Sequence, residues 1–310
     1  MTTQSLLTEW LEIYQKEHIK ARTYSRYQGL ITMHIVPTLG EKNISELGRR
    51  EIQEFLTQQK RDGNIRNGKK LSTTSTNMML SVLNLAFEYA CDMEYIEENP
   101  CARVRRTKAE AKRVEAFTIE EQRAIEREIS GAEDSRLHGI LLCLYTGLRI
   151  GELLGLTWND VDFERGMIKI TKTVYREKDK NGVWQLCVGT PKTRSSMRVI
   201  PLPGYIVKML KSAKTGAKSA YVVENKKGER MSIRSYQYIF EKLTESAGVR
   251  KLNFHALRHT FATRAIECGM DIKTVADIMG HQNASITLNR YAHCMLDHKI
   301  EMMQKLPQIL

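Results

Sequence analysis

The dipeptide Asn99-Pro100 divides this chain into two stretches with different periodicities. A residue that precedes proline is pushed out of the α region, so a helix running into this dipeptide ends there. Upstream, residues 1–102 read as helix. Between Ser75 and Ala90 the apolar residues Met78, Met79, Val82, Leu83, Leu85, Ala86 and Tyr89 recur at three-to-four spacing and line one helical face. The hydroxyl run Ser72-Thr73-Thr74-Ser75-Thr76 offers that helix an N-cap. Pro37 and Gly40 are expected to break an earlier helix that starts near Thr23, and Gly48 and Asp62-Gly63-Asn64 mark further turns. Four or five short helices without a strand pattern predict a small all-α domain.

Downstream, residues 114–310 are mixed. Thr118 with Glu121 forms a capping box, and Ile140–Leu148 is an apolar helical run that stops at Gly147. Strand-like pieces follow at Met167–Ile170, Val183–Leu186 and Arg198–Ile200, with turn residues Asp179, Asn181 and Gly182 among them. From Ser232 helices dominate again. The expectation is a mainly helical α+β domain with a small antiparallel sheet.

The junction between them, residues 103–113, carries Arg103, Arg105, Arg106, Lys108, Lys112 and Arg113 against Glu110 alone. It reads either as a solvated linker or as a strap along a nucleic-acid backbone, where cations give affinity without sequence choice. The whole chain leans the same way. Its 48 Lys and Arg against 36 Asp and Glu leave a net charge of +12, which favours a polyanionic partner. The six cysteines form no C-x-x-C pair, and the opening MTTQSLLTEWLEIY has no signal-peptide pattern. No run approaches the roughly 18 apolar residues of a membrane span. Free thiols in a cytoplasmic protein, with no membrane partner and no structural metal, are therefore expected.

Three clusters carry chemistry. Thr146-Gly147-Leu148-Arg149-Ile150-Gly151-Glu152 sets an arginine between two glycines after an apolar helix. A guanidinium there suits phosphate recognition, although a helix-terminal pair with Glu152 would explain it too. In His255-Ala256-Leu257-Arg258-His259-Thr260, His255 and Arg258 fall on one helical face. His255 and His259 have the spacing of a zinc pair, but the glutamate of H-E-x-x-H is missing, so no metal is expected. Gly280-His281 is followed by Asn289-Arg290-Tyr291-Ala292-His293. A phenol with an ordinary pKa near 10 is a weak nucleophile, and it needs neighbouring cations and a base.

Taken in order, R, H-x-x-R, G-H and Y within T-G-L-R-x-G-E, H-x-L-R-H-T and R-Y-A-H contexts resemble the tyrosine recombinase (phage integrase) family over the whole second domain. Tyr24-Ser25-Arg26-Tyr27 and His34-Ile35-Val36-Pro37-Thr38-Leu39-Gly40 are similar to the helical core-binding domain of integrases from phages and conjugative transposons. The resemblance implies a C-shaped clamp on double-stranded DNA and a site-specific recombinase that needs neither ATP nor metal. It also implies a role for each matching position. Arg149 and Arg258 would hold the scissile phosphate, and Tyr291 would attack to give a 3′-phosphotyrosine. Lys192, in Pro191-Lys192-Thr193-Arg194-Ser195, would protonate the leaving 5′-oxygen, with Lys172 the weaker candidate. His255 would be the acid/base partner of the tyrosine, His281 would hydrogen-bond the phosphate, and Glu152 would orient an active-site cation.

The resemblance further implies a homotetramer on DNA. The apolar stripe Met295, Leu296, Ile300, Met303 and Leu306 is expected to dock on a neighbouring protomer. Integration and excision of a prophage or integrative conjugative element is the implied role, with an excisionase or a host DNA-bending protein left open as accessory partners. Xer-type dimer resolution, a type IB topoisomerase and a catalytically silent DNA-binding regulator are the alternatives. Whether an arm-binding domain is naturally absent, as in Xer proteins, or trimmed is equally open.

Overall fold

A computed structural model describes residues 1–65, 68–108, 115–178, 183–190, 196–291 and 303–304. The chain falls into two compact units, Met1–Lys112 and Arg113–Leu310. Each is described by itself.

The first unit is helical: α1 (Thr3–Glu9), α2 (Ala21–Leu30), α3 (Val36–Leu39), α4 (Arg49–Asp62) and α5 (Thr73–Asp92). Ser72 caps α5, its hydroxyl accepting from the Ser75 amide at 3.1 Å. Met79, Leu80, Val82, Leu83, Ala86, Phe87 and Ala90 of α5 pack with Trp10, Ile35, Ile52 and Phe55 into one core.

Two expectations fail here for local reasons. Pro37 does not break its helix. A wide π-type turn over Ile31–Ile35 runs directly into α3, with Pro37 in its first turn. The π turn spares the α-type bond that a proline nitrogen cannot donate. The chain turns only at Gly40, whose amide reaches the Val36 carbonyl at 2.9 Å. Nor does α5 run on to Asn99-Pro100. It stops at Asp92, because Glu94 takes a left-handed φ of 57° and the Tyr95 amide bonds back to the Ala90 carbonyl. Asn99 instead shapes a turn, accepting from the Cys101 amide at 2.8 Å.

The basic stretch begins inside this unit. Cys101 and Val104 are buried in its core, and Asn77 of α5 clamps Thr107 by donating to its carbonyl and accepting from its amide. Arg103, Arg105, Arg106 and Lys108 all point outward, exposed. Lys112 and Arg113 lie outside the described residues.

The second unit opens with α6 (Ile119–Ser130), α7 (His138–Thr146) and α8 (Ile150–Gly155). The capping box forms: the Thr118 hydroxyl accepts from the Glu121 amide, and Glu121 accepts from the Thr118 amide. Strands β1 (Val161–Asp162), β2 (Met167–Ile170) and β5 (Arg198–Pro201) form an antiparallel sheet in the order β1-β2-β5, and β3 (Thr173–Lys178) pairs with β4 (Trp184–Gly189) as a separate hairpin. In the three-stranded sheet Ile168 faces Ile200, which keeps the apolar side inward. Among the described residues there follow α9 (Gly204–Thr215), α10 (Ile233–Ser246), α11 (His255–Glu267), α12 (Ile272–Met279) and α13 (Ala284–Tyr291). A small sheet in a mainly helical unit is the fold class expected.

Cys91, Cys101, Cys143, Cys187 and Cys268 are free thiols. Among the described residues no helix is long and apolar enough to cross a membrane. Of the apolar tail positions, only Met303 falls within the described residues.

Candidate functional site

The site is assembled around two helix ends. The last carbonyls of a helix lack intrahelical donors and sit at the negative end of its dipole, so they attract cations. Helix α7 ends at Gly147 (φ 63°) and α12 ends before Gly280 (φ 66°). Both residues occupy the left-handed conformation that glycine adopts without strain. Arg258, from the first turn of α11, is 2% exposed and reaches both ends. Its guanidinium donates to the carbonyls of Gly147 and Met279, each at 2.7 Å. Arg149 donates to the same Met279 carbonyl at 3.5 Å, and Arg198 on β5 donates through Nε to the preceding Ile278 carbonyl at 2.5 Å. Three arginines from distant parts of the chain thus converge on the end of α12.

Glu152 ties two of them together. It is 3% exposed and accepts from Arg149 Nη1 at 2.7 Å, from the Arg149 amide at 3.1 Å, and from Arg198 Nη2 at 2.9 Å. Burial alone would push its carboxyl up, but the arginines, Arg198 foremost, outweigh it and hold the group below its usual range. Arg258 has no carboxylate in its hydrogen bonds. Burial first, then repulsion from Arg149, pulls its pKa down to about 9.

A second group lies against the C-terminal helix. Tyr291 is fully buried, in an apolar cluster with Phe261, Ala265, Val275 and Met279. Its hydroxyl is 2.5 Å from Nδ1 of His259. His259 in turn meets the ring of the exposed His255 edge to face, with centroids 4.6 Å apart. His281, just past Gly280, places Nδ1 2.7 Å from the hydroxyl of Thr287, a buried residue of α13.

Of the residues singled out in the sequence, Arg149, Glu152, Arg258, His281 and Tyr291 are thus brought to one end of α12, and His255 touches this group through the ring of His259. Lys192 lies outside the described residues. Lys172 is paired with Asp160 at 3.1 Å and with the Thr157 hydroxyl at 3.4 Å. Two participants had been passed over. Arg198 had no local motif to mark it. His259 stood in the quoted H-x-L-R-H-T run and was weighed only as the second half of a zinc pair with His255. Among the described residues no cluster of three or more His, Cys, Asp or Glu could hold a metal ion.

Comparison with known proteins places this geometry. The "Phage integrase family" model matches residues 132–298, and the model for the "Phage integrase, N-terminal SAM-like domain" matches residues 2–58. A "Tyrosine recombinase XerC-like" protein of Caldanaerobacter subterraneus subsp. tengcongensis is 29% identical over 99% of this chain and 83% of its own. The ICEBs1 integrase of Bacillus subtilis is 26% identical over 94% of this chain and 79% of its own. Among solved structures, the Tn1549 transposon integrase in complex with a circular intermediate DNA superimposes with a TM-score of 0.82 at 25% identity, covering 99% of this chain and 100% of that one. A lambda integrase dimer bound to a core site shares the fold, with a TM-score of 0.69 at 22% identity over 92% of this chain and 97% of that one. The family match spans more than half of the chain and contains both helix ends that gather the arginines: the chain belongs to the phage integrase family, the tyrosine recombinases that exchange DNA strands at specific sites.

Proposed function

We propose that this chain integrates and excises a mobile DNA element, using Tyr291 as the nucleophile and Arg149 and Arg258 as the phosphate clamp. The observation that carries the assignment is the convergence of Arg149 and Arg258 on the Met279 carbonyl, with His281 two residues on and Tyr291 in one apolar cluster with Met279. Fixed guanidiniums of this kind stabilise charge that develops on a phosphoryl group in the transition state. Tyr291 then displaces the 5′-oxygen and leaves a 3′-phosphotyrosine, whose energy is recovered when a 5′-hydroxyl of the other duplex attacks. Lys192 is the proposed acid for the leaving oxygen. His281 is oriented by Thr287 through Nδ1, so its contact to the phosphate falls to Nε2.

The solved Tn1549 integrase is bound to transposon DNA, and one lambda integrase structure is a tetramer on a Holliday junction. A DNA-bound homotetramer is the corresponding assembly proposed here, with an excisionase or host bending protein as an optional partner. Xer-type dimer resolution is the second reading, favoured by the XerC-like relative that matches nearly the whole chain.

The test uses nicked duplexes tiled across the DNA flanking the gene, incubated in EDTA with the wild-type protein or with Tyr291→Phe. Covalent adducts are read on denaturing gels. An adduct on one short segment that is lost in the variant supports the assignment, and an adduct that survives in Tyr291→Phe overturns it. Adducts at flanking element ends speak for integration, whereas adducts only at a chromosomal dimer-resolution site speak for the second reading.

A further inference from the structure

We propose that His259 takes the proton from Tyr291 as the phenol attacks the phosphate, and returns it when the strands are rejoined. The proposal rests on Tyr291 being the nucleophile and gives His259 the acid/base role that the resemblance implies for His255.

A phenol with an ordinary pKa of about 10 is protonated at neutral pH, so its proton has to go somewhere as the new bond forms. Tyr291 is fully buried in the DNA-free chain, so the acceptor at hand there is a side chain and not bulk water. His259 is in contact: Nδ1 stands 2.5 Å from the tyrosine oxygen, within hydrogen-bond reach of the proton to be moved. With the imidazole proton on Nε2, the phenol donates and Nδ1 accepts. His259 is half-buried, and one helical turn earlier the exposed His255 packs its ring against it at 86°. The two imidazoles therefore lead from the buried phenol to the surface of α11. Among the described residues, His259 meets His255 of its own helix and Tyr291 of α13. Val275 and Met279 of α12 pack with Tyr291 in the apolar cluster.

The step balances. The Tyr291 oxygen bonds to phosphorus, the bond from phosphorus to the 5′-oxygen breaks, the phenolic proton moves to Nδ1, and the departing oxygen takes a proton from a separate acid. In rejoining, a 5′-hydroxyl attacks, the phenolate leaves, and the imidazolium returns its proton to it.

The experiment measures single-turnover adduct formation for wild type, His259→Asn, His259→Ala and Tyr291→Phe on the cleavable nicked duplex. Each is also assayed on the same duplex with sulfur in place of the bridging 5′-oxygen. The thiolate leaves without an acid, so that substrate isolates the proton on the tyrosine side. Asparagine can keep a hydrogen bond near the Nδ1 position but cannot take up a proton. Both His259 variants are expected to form adduct about 100-fold or more slowly on both substrates, with DNA affinity and melting temperature close to wild type. Rejoining should slow equally. Wild-type rates in His259→Asn would overturn the proposal, reducing the contact to a tether, and so would a deficit that disappears on the sulfur substrate. Should both variants fail to fold, the wild-type rate on the sulfur substrate decides. It should climb through one imidazole ionisation between about pH 5 and 8, and a flat profile overturns the proposal. Adduct formation by Tyr291→Phe would instead refute the nucleophile assignment itself.

Discussion

Glu152 is shared by two arginines that differ sharply in burial, and that difference predicts opposite phenotypes. The side chain of Arg198 is 7% exposed and meets Glu152 through two nitrogens, at 2.9 and 3.3 Å. Removing one partner of a buried pair leaves the other charged and dry, at a cost of about 3–5 kcal/mol. A unit of this size melts about 2–4 °C lower for each kcal/mol lost. Arg198→Ala and Glu152→Gln should therefore each lower the melting temperature of the second unit by roughly 6–20 °C. The side chain of Arg149 is 38% exposed, and Glu152 retains Arg198 without it. Solvent screening holds that loss to about 1 kcal/mol, or roughly 2–4 °C. Arg149→Ala should nevertheless abolish adduct formation. Replacing Glu152 and Arg198 together with glutamine and methionine removes both charges and should recover part of the stability. Calorimetry of the whole chain, paired with the adduct assay, reads both quantities. If Arg149→Ala melts as low as Arg198→Ala, or if Glu152→Gln loses under about 1 kcal/mol, the burial argument is wrong.

Three further outcomes follow from single contacts. Gly147→Ala forces a side chain onto a φ of 63° and sets its Cβ 2.7 Å from Phe261 Cδ1, so urea unfolding should show a loss of about 2 kcal/mol or more, with slower cleavage as the Gly147 carbonyl shifts from Arg258. Hydrogen bonds from Arg250 pull the Glu121 carboxyl down to about 2 from an ordinary 4.5; because the folded value is the lower one, its stabilisation is complete above about pH 4.5 and disappears as pH falls toward 2. Glu121→Gln should accordingly narrow the gap between unfolding midpoints at pH 7 and pH 3, and an unchanged gap would contradict the assignment. Finally, each glutamine replacing Arg103, Arg105, Arg106 or Lys108 should reduce the slope of log affinity against log salt by about 0.9 if that side chain meets a DNA phosphate, and leave it unchanged if it is only solvated.

What could be read from the sequence was what is decided locally. The stripe on α5, the Thr118 capping box and the stop at Gly147 each depend on residues within a turn or two of one another. Strands β2, β4 and β5 announced themselves through short apolar alternation. Strand β3 did not, because its second half, Arg176-Glu177-Lys178, is charged and the strand is fixed by pairing with β4. The end of α5 was misread because a glutamate, not a glycine, takes the left-handed turn. Partners distant in sequence explain the gaps in the site. Arg198 bonds a carboxylate 46 residues away and a carbonyl 80 residues away, and the tyrosine facing His259 lies 32 residues on. No spacing rule reaches that far, so a lone arginine in a strand stayed unmarked and the second histidine of a motif was weighed only as half of a zinc pair.

The arrangement of acceptors explains how a cluster of like charges persists and remains useful. Among the described residues, three guanidiniums and one carboxylate gather at the end of α12, so positive charge is in excess there. Had Arg258 been held by an acid, its charge would be neutralised in place and little would remain for a phosphate. Two carbonyls hold it instead, fixing the direction of the guanidinium without cancelling it. Burial does most to lower the pKa of Arg258, and repulsion from Arg149 and Arg198 lowers it further. On the proposed assignment, a phosphate entering between Arg149 and Arg258 relieves that repulsion. The relief grows as the tyrosine adds and negative charge accumulates on the phosphoryl oxygens, which is when stabilisation counts toward rate. Glu152 is then best understood as the counter-charge that lets Arg198 be buried, so that the more exposed Arg149 can be aimed by the same carboxylate and still face the substrate.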